Sequence, residues 1–317
     1  MKFSVVIPLY NKARYVAKAI GSVLSQTYTD YELVIVDDGS QDNSAEIAMQ
    51  TIEGHDNCCF FKQENAGVSM ARNNGVAASH GDYLCFLDAD DWWEPTFLEE
   101  MSKLIGEFPD AGIYGVNYTI VDETKHKTRI AQIGVDEGFE KGYINYFQTY
   151  ARTMYMPLTS ISVAMPRWVF EQSKGFPENI KLGEDFLLWV RIALKHKVVM
   201  LNKPLAFYNQ DVDVNNRGVK STGYAPETFM TFHFDQFEEE ERKNKDLKVL
   251  LDRIRAYSLL RFRLRDEHAD AVKAEIQKVD FDNVDKIYRF YYKAPYAFVW
   301  LYAKMASIGS FLKRIIK

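Results

Sequence analysis

Strand-like and helix-like segments alternate along the first 90 residues, and this alternation limits the folds that are open to the chain. Runs rich in β-branched and aromatic residues predict strands at Phe3–Pro8, Tyr31–Asp37, Cys58–Lys62 and Tyr83–Asp88. Apolar residues at helical spacing predict helices over Tyr15–Gln26, from Ser44, and over Val68–Ser79. Strands that alternate with helices in this way indicate βαβ units, so we expect an α/β protein with a parallel sheet.

The pattern changes after residue 110. Further strands are predicted at Gly112–Val121 and Thr159–Pro166, a helix at Glu184–Lys195, and an extended segment at Val198–Tyr208. From about residue 225 the sequence is helical and rich in charge. We therefore predict two parts, an α/β domain over residues 1–220 and a helical C-terminal extension over residues 221–317.

The composition narrows the class of protein. The chain has 317 residues, 47% of them hydrophobic, and its net charge of −5 gives no support to binding of nucleic acid. No stretch approaches about 18 uncharged apolar residues, and the apolar run at the N-terminus is too short for a signal peptide. The three cysteines form no CxxC pair, and Cys59 and Cys85 lie in apolar runs that favour buried thiols. We expect a cytoplasmic protein.

Polar residues follow three of the four predicted strands of the first 90 residues. They are Tyr10-Asn11, Asp37-Asp38-Gly39-Ser40 and Asp88-Ala89-Asp90-Asp91. Ligands of open α/β sheets bind beyond the carboxyl ends of the strands. We therefore expect these three groups to converge on one crevice.

Asp88 and Asp90 are candidates for a metal site. Two carboxylates at positions i and i+2 of an extended backbone point to the same side. They can share one hard divalent cation, which prefers oxygen ligands and takes the rest of its shell from waters and phosphates. The alternative is an Asp-rich turn, and Asp91 is expected to cap a helix that begins with Trp92 and Trp93.

Asp38 and Arg72 are candidates for binding a nucleotide. A carboxylate at the Asp37-Asp38 strand end can accept a hydrogen bond from a nucleobase or a ribose hydroxyl, although the same residues also suit a plain turn. Arg72, in a predicted helix, can reach a phosphate or the acids near Asp88. The alternative for Arg72 is a solvated arginine on the helix surface.

Asp185 is a candidate general base. It lies in the sequence Gly183-Glu184-Asp185 at the predicted start of a helix. The helix dipole alone favours acids at this position. Transfer of a group to a hydroxyl needs a base for its proton, and an acid that Phe186 and Trp189 partly cover is suited to that role.

Two other kinds of enzyme are excluded by the motifs that they require. A dinucleotide-dependent oxidoreductase needs GxGxxG after the first strand, where this chain has IPLYNK. A serine hydrolase of the α/β class needs a GxSxG turn, which the sequence lacks. None of the six histidines has the spacing of a metal-ligand set.

Taken together, three segments resemble the family 2 glycosyltransferases with the GT-A fold. In the order and spacing of that family they are FSVVIPLYNKARYVAKAIGSVLSQTYTDYELVIVDDGSQDNS, NAGVSMARNNGVAASHGDYLCFLDADDWW and GFPENIKLGEDFLLWVRIA. The resemblance spans residues 1–215 and implies a Rossmann-like sheet flanked by helices. It implies an inverting transfer of a hexose or N-acetylhexosamine from a nucleoside diphosphate, with UDP favoured, to an acceptor hydroxyl.

The resemblance also implies a role for each candidate residue. Pro8, Tyr10 and Asp38 would bind the nucleobase, Arg72 the nucleotide, and Asp88 the ribose or the metal. Asp90 would ligate Mg²⁺ or Mn²⁺ directly, and Asp185 would be the base. Many members have a histidine after the last strand, and this chain has none there. Gln210, Asp211 and Arg217 are the alternatives in its place.

Two rival functions remain open at this stage. A non-catalytic protein of the same fold could bind sugar nucleotides, although the intact Asp88–Asp90 pair and Glu184-Asp185 favour an enzyme. A nucleotidyltransferase would need a glycine-rich loop after the first strand, which PLYNKARY does not provide.

Residues 286–317 differ from the rest of the chain in charge. They contain seven Lys or Arg, nine aromatic residues and no acid. Basic and aromatic residues together are typical of a helix that lies on a membrane surface, and a terminal helix packed on the core is the alternative. A membrane contact would suit a glycan or lipid-linked acceptor in the synthesis of a surface or lipid-linked polysaccharide.

Overall fold

The computed structural model describes residues 1–122, 124–210 and 224–299, and it divides into two compact units, Met1–Met230 and Thr231–Lys317. The boundary predicted between residues 220 and 221 lies outside the described residues. The first unit is an α/β structure with one sheet, and the described part of the second is helical.

The first half of unit 1 repeats a strand and a helix. Its elements are β1 (Phe3–Leu9), α1 (Val16–Leu24), β2 (Tyr31–Asp37), α2 (Ser44–Thr51), β3 (Cys58–Lys62), α3 (Val68–Ala77) and β4 (Tyr83–Phe86). All four strands are parallel and lie in the order β3-β2-β1-β4. The elements predicted over the first 90 residues are therefore confirmed.

The second half of unit 1 continues the same sheet with mixed strand directions. Its elements are β5 (Trp92–Trp93), α4 (Phe97–Glu107), β6 (Ala111–Asp122), β7 (Lys127–Ile130), β8 (Lys141–Ile144), α5 (Tyr146–Thr153), β9 (Val163–Pro166), α6 (Arg167–Gln172), α7 (Glu184–Ala193) and β10 (Lys197–Asn209). β9 runs antiparallel between β4 and β6, whereas β10 is parallel to β6. The parallel arrangement predicted for the first 90 residues therefore ends at β4, and the sheet beyond it is mixed.

The inner strands form the core because both of their faces are covered. Every residue of β1 is buried, and its register with β2 runs from Phe3–Tyr31 to Leu9–Asp37. β4 pairs with β1 only as far as Val6, so Pro8, which has no N–H to donate, lies beyond that pairing. β3 is the edge strand, and there Cys59 is exposed, while Cys85 in β4 is buried. The expectation of a buried thiol is thus correct for Cys85 and wrong for Cys59.

The described part of unit 2 contains four α-helices, α8 (Glu238–Lys243), α9 (Lys245–Arg263), α10 (Ala269–Gln277) and α11 (Lys286–Lys293). Arg255 of α9 is fully buried and is neutralised by Glu241 of α8, with oxygens at 2.6 and 2.9 Å, and by Glu275 of α10 at 3.3 Å. One buried cation thus joins three helices. Among the described residues, no helix combines the length and the apolar character that crossing a bilayer requires.

Candidate active site

The carboxyl ends of β2, β1 and β4 lie side by side and bring the three predicted polar groups together. β1 lies between β2 and β4 in the sheet. The loop after β1 is joined to the loop after β2 by hydrogen bonds from the Asn11 N–H to Ser40 Oγ (3.0 Å) and from the Gln41 N–H to Asn11 Oδ1 (2.8 Å). It reaches the turn after β4 through Lys12, whose Nζ is 2.7 Å from Asp90 Oδ2. The predicted convergence of these three groups at one edge of the sheet is confirmed.

Asp38 organises the loop that precedes α3. Its Oδ1 accepts hydrogen bonds from Gln63 Nε2 and the Ala66 N–H, both at 2.8 Å, and its Oδ2 accepts one from the Gly67 N–H at 2.9 Å. The side chain is buried. Pro8 is also buried, within β1, whereas Tyr10 at the end of this strand is 45% exposed.

Asp88, Asp90 and Asp91 share one tight turn, in which the Asp91 N–H donates to the Asp88 carbonyl at 3.0 Å. The side chains of Asp88 and Asp90 are 32% and 18% exposed, so both reach solvent. Burial raises the pKa of Asp90, the Lys12 ammonium opposes that rise, and the Asp88 carboxylate adds to it.

Asp91 is buried, and its carboxylate bonds to the end of β10 instead of capping a helix. Its Oδ1 accepts from the Asn209 N–H at 2.7 Å, at the end of β10. Burial, with the charges of Asp90 and Asp88, raises the pKa of Asp91 well above its usual range. The prediction of a helix cap is wrong, because Trp92–Trp93 pairs with β10 as β5 and the next helix begins only at Phe97.

Arg72 of α3 lies between two acids from different parts of the chain. Its Nη2 is 2.7 Å from Asp88 Oδ1, and its Nη1 is 2.9 Å from Glu184 Oε1 in the first turn of α7. The guanidinium also lies over the Phe176 ring, 5.0 Å from its centroid. Arg72 is only 3% exposed, so the alternative of a solvated helix arginine is wrong.

The charges around Arg72 keep it ionised. Burial lowers the pKa of the guanidinium, but the carboxylates of Asp88 and Glu184 outweigh that effect and raise the pKa above its usual value. A buried arginine of this kind is favourable only while its partners stay in place.

Asp185 follows Glu184 in the first turn of α7, and its Oδ1 accepts from the Phe186 N–H at 2.7 Å. Burial, followed by the charge of Glu184, raises the pKa of Asp185 to about 7, and Arg72 opposes this rise. Burial is the main cause of the raised pKa values of Tyr118 and Tyr146, and the charge of Asp185 adds to both. The Tyr146 hydroxyl is buried with no hydrogen-bond partner among the described residues.

The turn after β4 fits a divalent cation. Asp88 and Asp90 present two hard oxygen donors on one turn, and Mg²⁺ in nucleotide sites commonly takes one or two carboxylates together with waters and phosphate oxygens. The part of the chain that the structure describes holds no cluster of three or more His, Cys, Asp or Glu suited to a metal ion. These residues can therefore offer two carboxylates to a metal ion, and a bound diphosphate would supply further oxygen ligands.

The site includes residues to which the sequence assigns no role. Lys12 forms an ion pair with Asp90 and Glu184 one with Arg72, and the charge of Asp185 acts on Tyr118 and Tyr146. The only sequence signal for Lys12 is its place after a strand end. Of the alternatives to the absent histidine, Gln210 donates its N–H to the Val121 carbonyl at 2.8 Å, and Asp211 and Arg217 lie outside the described residues.

Comparison with known proteins supplies the family. Residues 4–167 match the family described as Glycosyl transferase family 2. The chain is 35% identical over 214 residues to the glycosyltransferase GlyA of Streptococcus pneumoniae, which covers 65% of this chain and 30% of GlyA. It is 32% identical over 205 residues to an uncharacterized glycosyltransferase of Rickettsia felis, covering 65% of this chain and 32% of that protein. The matched regions thus span about a third of the length of these curated relatives.

Solved structures share the fold at low sequence identity. TarS residues 1–349 of S. aureus, in complex with UDP-GlcNAc, superpose with a TM-score of 0.64 and 20% identity, covering 89% of this chain and 83% of that one. The mannosyltransferase PcManGT from Pyrobaculum calidifontis, in complex with GDP-Man and Mn²⁺, gives a TM-score of 0.55 and 15% identity, covering 96% and 79%. The expected GT-A fold is confirmed.

The ion pair between Arg72 and Glu184 yields a prediction about stability. Glu184→Gln keeps the shape of the side chain but removes its charge. We therefore expect urea denaturation to show that the free energy of unfolding falls by ~1.5–3 kcal/mol, which is typical of a hydrogen bond to a charged group. Arg72→Met leaves Asp88 and Glu184 without their cation and should cost more. The double variant should be less destabilised than the sum of the single variants, because the two residues contact each other.

Glu178→Gln is the matched control, because within the described part of the chain Glu178 makes one exposed hydrogen bond, to Asn73. Its effect should be within about 0.5 kcal/mol and should add to that of Arg72→Met. Simple additivity between Arg72→Met and Glu184→Gln would contradict the coupling.

Proposed function

Because the chain belongs to Glycosyl transferase family 2, we propose that it is an inverting enzyme that transfers one sugar from a nucleoside diphosphate to an acceptor hydroxyl. The observation that carries the proposal is the arrangement around Arg72, which links the acidic turn of Asp88 and Asp90 to the helix that presents Asp185. One end of the crevice can thus hold a diphosphate and its cation, while the other can take a proton.

We propose that the donor is linked to UDP and carries a hexose or an N-acetylhexosamine. The complex of TarS with UDP-GlcNAc, whose fold extends over most of this chain, supports this class of donor. Tyr10 exposes its ring at the end of β1 and can stack on the nucleobase, beside Pro8 and the fixed carboxylate of Asp38. Asp88 accepts hydrogen bonds from the ribose hydroxyls, and Arg72 acts on the nucleotide by holding Asp88 in place.

Asp88 and Asp90 would hold Mg²⁺ or Mn²⁺, which when bound neutralises charge on the departing diphosphate. The complex of PcManGT with GDP-Man and Mn²⁺ supports this proposal. Both carboxylates reach the surface of the crevice while their backbone is fixed by the turn. The residues themselves therefore need no large movement to offer their oxygens.

Asp185 is the proposed base for the acceptor. A carboxylate oxygen of Asp185 takes the hydroxyl proton, and the freed oxygen lone pair bonds to the anomeric carbon. The bond from that carbon to the diphosphate oxygen breaks on the opposite face, and its electron pair leaves with the diphosphate. A pKa of about 7 for Asp185 suits this step, because a base works best when its pKa lies near the working pH.

The rival proposal is a protein of the same fold that binds a sugar nucleotide without turning it over. A binding protein needs Asp88 and Tyr10 but has no use for the half-buried acid Asp185 with its raised pKa. The position of Asp185 therefore favours an enzyme.

A screen of nucleotide sugars tests the function. Each donor is incubated with Mn²⁺ or Mg²⁺, and the released nucleoside diphosphate is measured. We expect UDP to be released from at least one UDP-sugar, and EDTA to abolish this release. The rate of release should fall ~10²-fold or more in Asp90→Ala, because a charge-stabilising group has been removed.

Asp110→Ala is the control for Asp90→Ala, since Asp110 is an exposed acid that pairs with Lys197 away from the acidic turn. It should leave the release of diphosphate unchanged. Binding of UDP-sugars without release, with and without candidate acceptors, would favour the rival proposal. Full activity in a folded Asp90→Ala variant would remove Asp90 from the metal site.

The raised pKa of Asp185 predicts a pH profile. Asp185 accepts a proton only when ionised, so kcat/KM for transfer should rise with pH through about 7 and then level off. Asp185→Asn should lose this limb and ~10²–10⁴ of the transfer rate, while donor affinity changes little. Transfer at the wild-type rate by Asp185→Asn would exclude Asp185 as the base.

Stability gives a second readout for Asp185. Its pKa is about 7 in the folded chain and ~3.9 in an unfolded one, so the folded state binds more protons between those values. The free energy of unfolding therefore falls as the pH rises from about 4 to 7. Asp185→Asn should be more stable than the wild type at pH 8, and this advantage should vanish near pH 4.

We further propose that the acceptor is a glycan or a lipid-linked sugar and that the enzyme meets it at a membrane surface. The described part of the basic segment supports both sequence-based alternatives. Tyr288 and Tyr292 pack against buried residues of unit 2, and the Tyr292 hydroxyl donates to the Ala256 carbonyl at 2.9 Å. On the same helix Ile287 and Phe290 are exposed, near Lys286 and Lys293. One face is structural, and the other can enter the headgroup layer.

Co-sedimentation with vesicles tests this surface. The full chain should pellet with vesicles that contain anionic lipid, and salt should weaken binding only in part, because salt screens the charges and not the apolar contact. Ile287→Ser with Phe290→Ser should reduce the bound fraction without lowering the melting temperature, since both side chains are exposed. Met49→Ser with Ile130→Ser removes exposed apolar residues from unit 1 and is the control. A wild-type chain that stays in the supernatant at low salt would overturn the membrane proposal.

A further inference from the structure

The Lys12 side chain neutralises Asp90. Lys12 Nζ is 2.7 Å from Asp90 Oδ2, and only 12% of the lysine side chain and 18% of the aspartate side chain are exposed. Asp90 is also one of the two residues proposed to ligate the divalent cation. The same carboxylate thus serves an ammonium in this structure and would serve a metal ion in the reaction.

The position of Lys12 is fixed by its backbone. The Lys12 N–H donates to Ser44 Oγ at 2.7 Å, and its carbonyl accepts from the N–H groups of Tyr15 and Val16 at 2.8 and 3.0 Å. On either side, the Asn11 and Ala13 N–H groups donate to Ser40 and Asp42. The Lys12 side chain itself is only 12% exposed, so it loses less further freedom when its ammonium pairs with Asp90 than a lysine on an open surface does.

A cation beside Asp90 is favourable because Asp90 lies among other acids. Asp88 and Asp91 share its turn, in which the Asp91 N–H donates to the Asp88 carbonyl at 3.0 Å, so three carboxylates are held close together. A divalent cation at Asp90 would relieve the same repulsion as Lys12, but both at once would bring two cations onto one carboxylate. The two cations therefore compete unless a further anion enters the crevice.

We propose that Lys12 is the resident counter-ion of Asp90 and makes tight binding of the divalent cation depend on the donor. The diphosphate of the donor brings new oxygen ligands for the metal and a second anion for the Lys12 ammonium. Metal and nucleotide then bind with positive coupling, and the metal is not held tightly alone. This inference rests on the proposed metal-dependent function, and in that reaction Lys12 is a positioning residue.

Mn²⁺ titrations followed by the EPR signal of free Mn²⁺ test the proposal without any turnover. The wild type should bind Mn²⁺ weakly alone and more tightly with saturating UDP, by a factor in the range of ~5–150 that is usual for coupled sites. Lys12→Met should bind Mn²⁺ alone more tightly than the wild type, and UDP should then add less. Lys12→Arg keeps the charge and should behave as the wild type does.

Lys103→Met is the matched control, because it removes one positive charge from an exposed pair with Glu99 and Glu100. It should leave every Mn²⁺ affinity unchanged. The shift in melting temperature that Mn²⁺ produces without UDP gives a second measure, and it should be larger for Lys12→Met than for the wild type.

Each other outcome separates the two proposals. If Lys12→Met binds Mn²⁺ alone no better than the wild type while UDP still promotes binding in both, the role of Lys12 is wrong and the metal site stands. If no variant binds Mn²⁺ with either UDP or GDP, the metal-dependent function itself fails, and the role of Lys12 fails with it.

Discussion

A buried guanidinium among carboxylates is the interaction on which the rest of the site depends. Arg72 contacts Asp88 and Glu184 at once, and it is almost fully removed from water. Removing a charge from water costs several kcal/mol unless its partners repay that cost. The positions of α3, of the turn after β4 and of the first turn of α7 are therefore tied to one another through a single side chain. If the turn after β4 or the first turn of α7 moves away, the buried guanidinium loses one of its two carboxylate partners.

The same group of residues carries an excess of negative charge. Among the described residues, the acids are Asp88, Asp90, Asp91, Glu184 and Asp185, and the cations that oppose them are Lys12 and Arg72. Burial, together with the repulsion among these acids, raises the pKa values of Asp90, Asp91 and Asp185. Such a site gains stability by taking up a proton or a cation. A sugar-nucleotide transferase uses both, the cation at the diphosphate and the proton at the acceptor.

Local patterns in the sequence predict the part of the fold that local forces decide. The alternation of β-rich runs and helical periodicity gives β1 to β4 and their helices, because the inner strands β1 and β2 are buried on both faces and a helix such as α1 is buried on one. The same patterns do not give the direction of β9 or the pairing of Trp92–Trp93 with β10, since those depend on chain reversals far away in sequence. Asp91 illustrates the difference. Its place before two tryptophans suggests a helix cap, but its partner is a backbone N–H that lies 118 positions later.

In the candidate site, too, some features follow from local sequence and others from contacts between distant parts of the chain. Its acids stand at strand ends and at a helix start, where the sequence alone marks them as ligands or bases. Their cations come from elsewhere, Lys12 from 78 positions before Asp90 and Arg72 from 112 positions before Glu184. The sequence thus shows where negative charge collects, and the fold shows how each charge is held.

This difference has a consequence for catalysis. Asp185 is tuned by burial and by its neighbour Glu184, and Arg72 limits the rise of its pKa. Arg72 also holds Asp88 at the proposed donor end, so one residue affects both the position of that carboxylate and the proton affinity of the proposed base, Asp185. A change at Arg72 should therefore disturb both ends of the reaction together, whereas a change at Asp185 or Asp90 disturbs one.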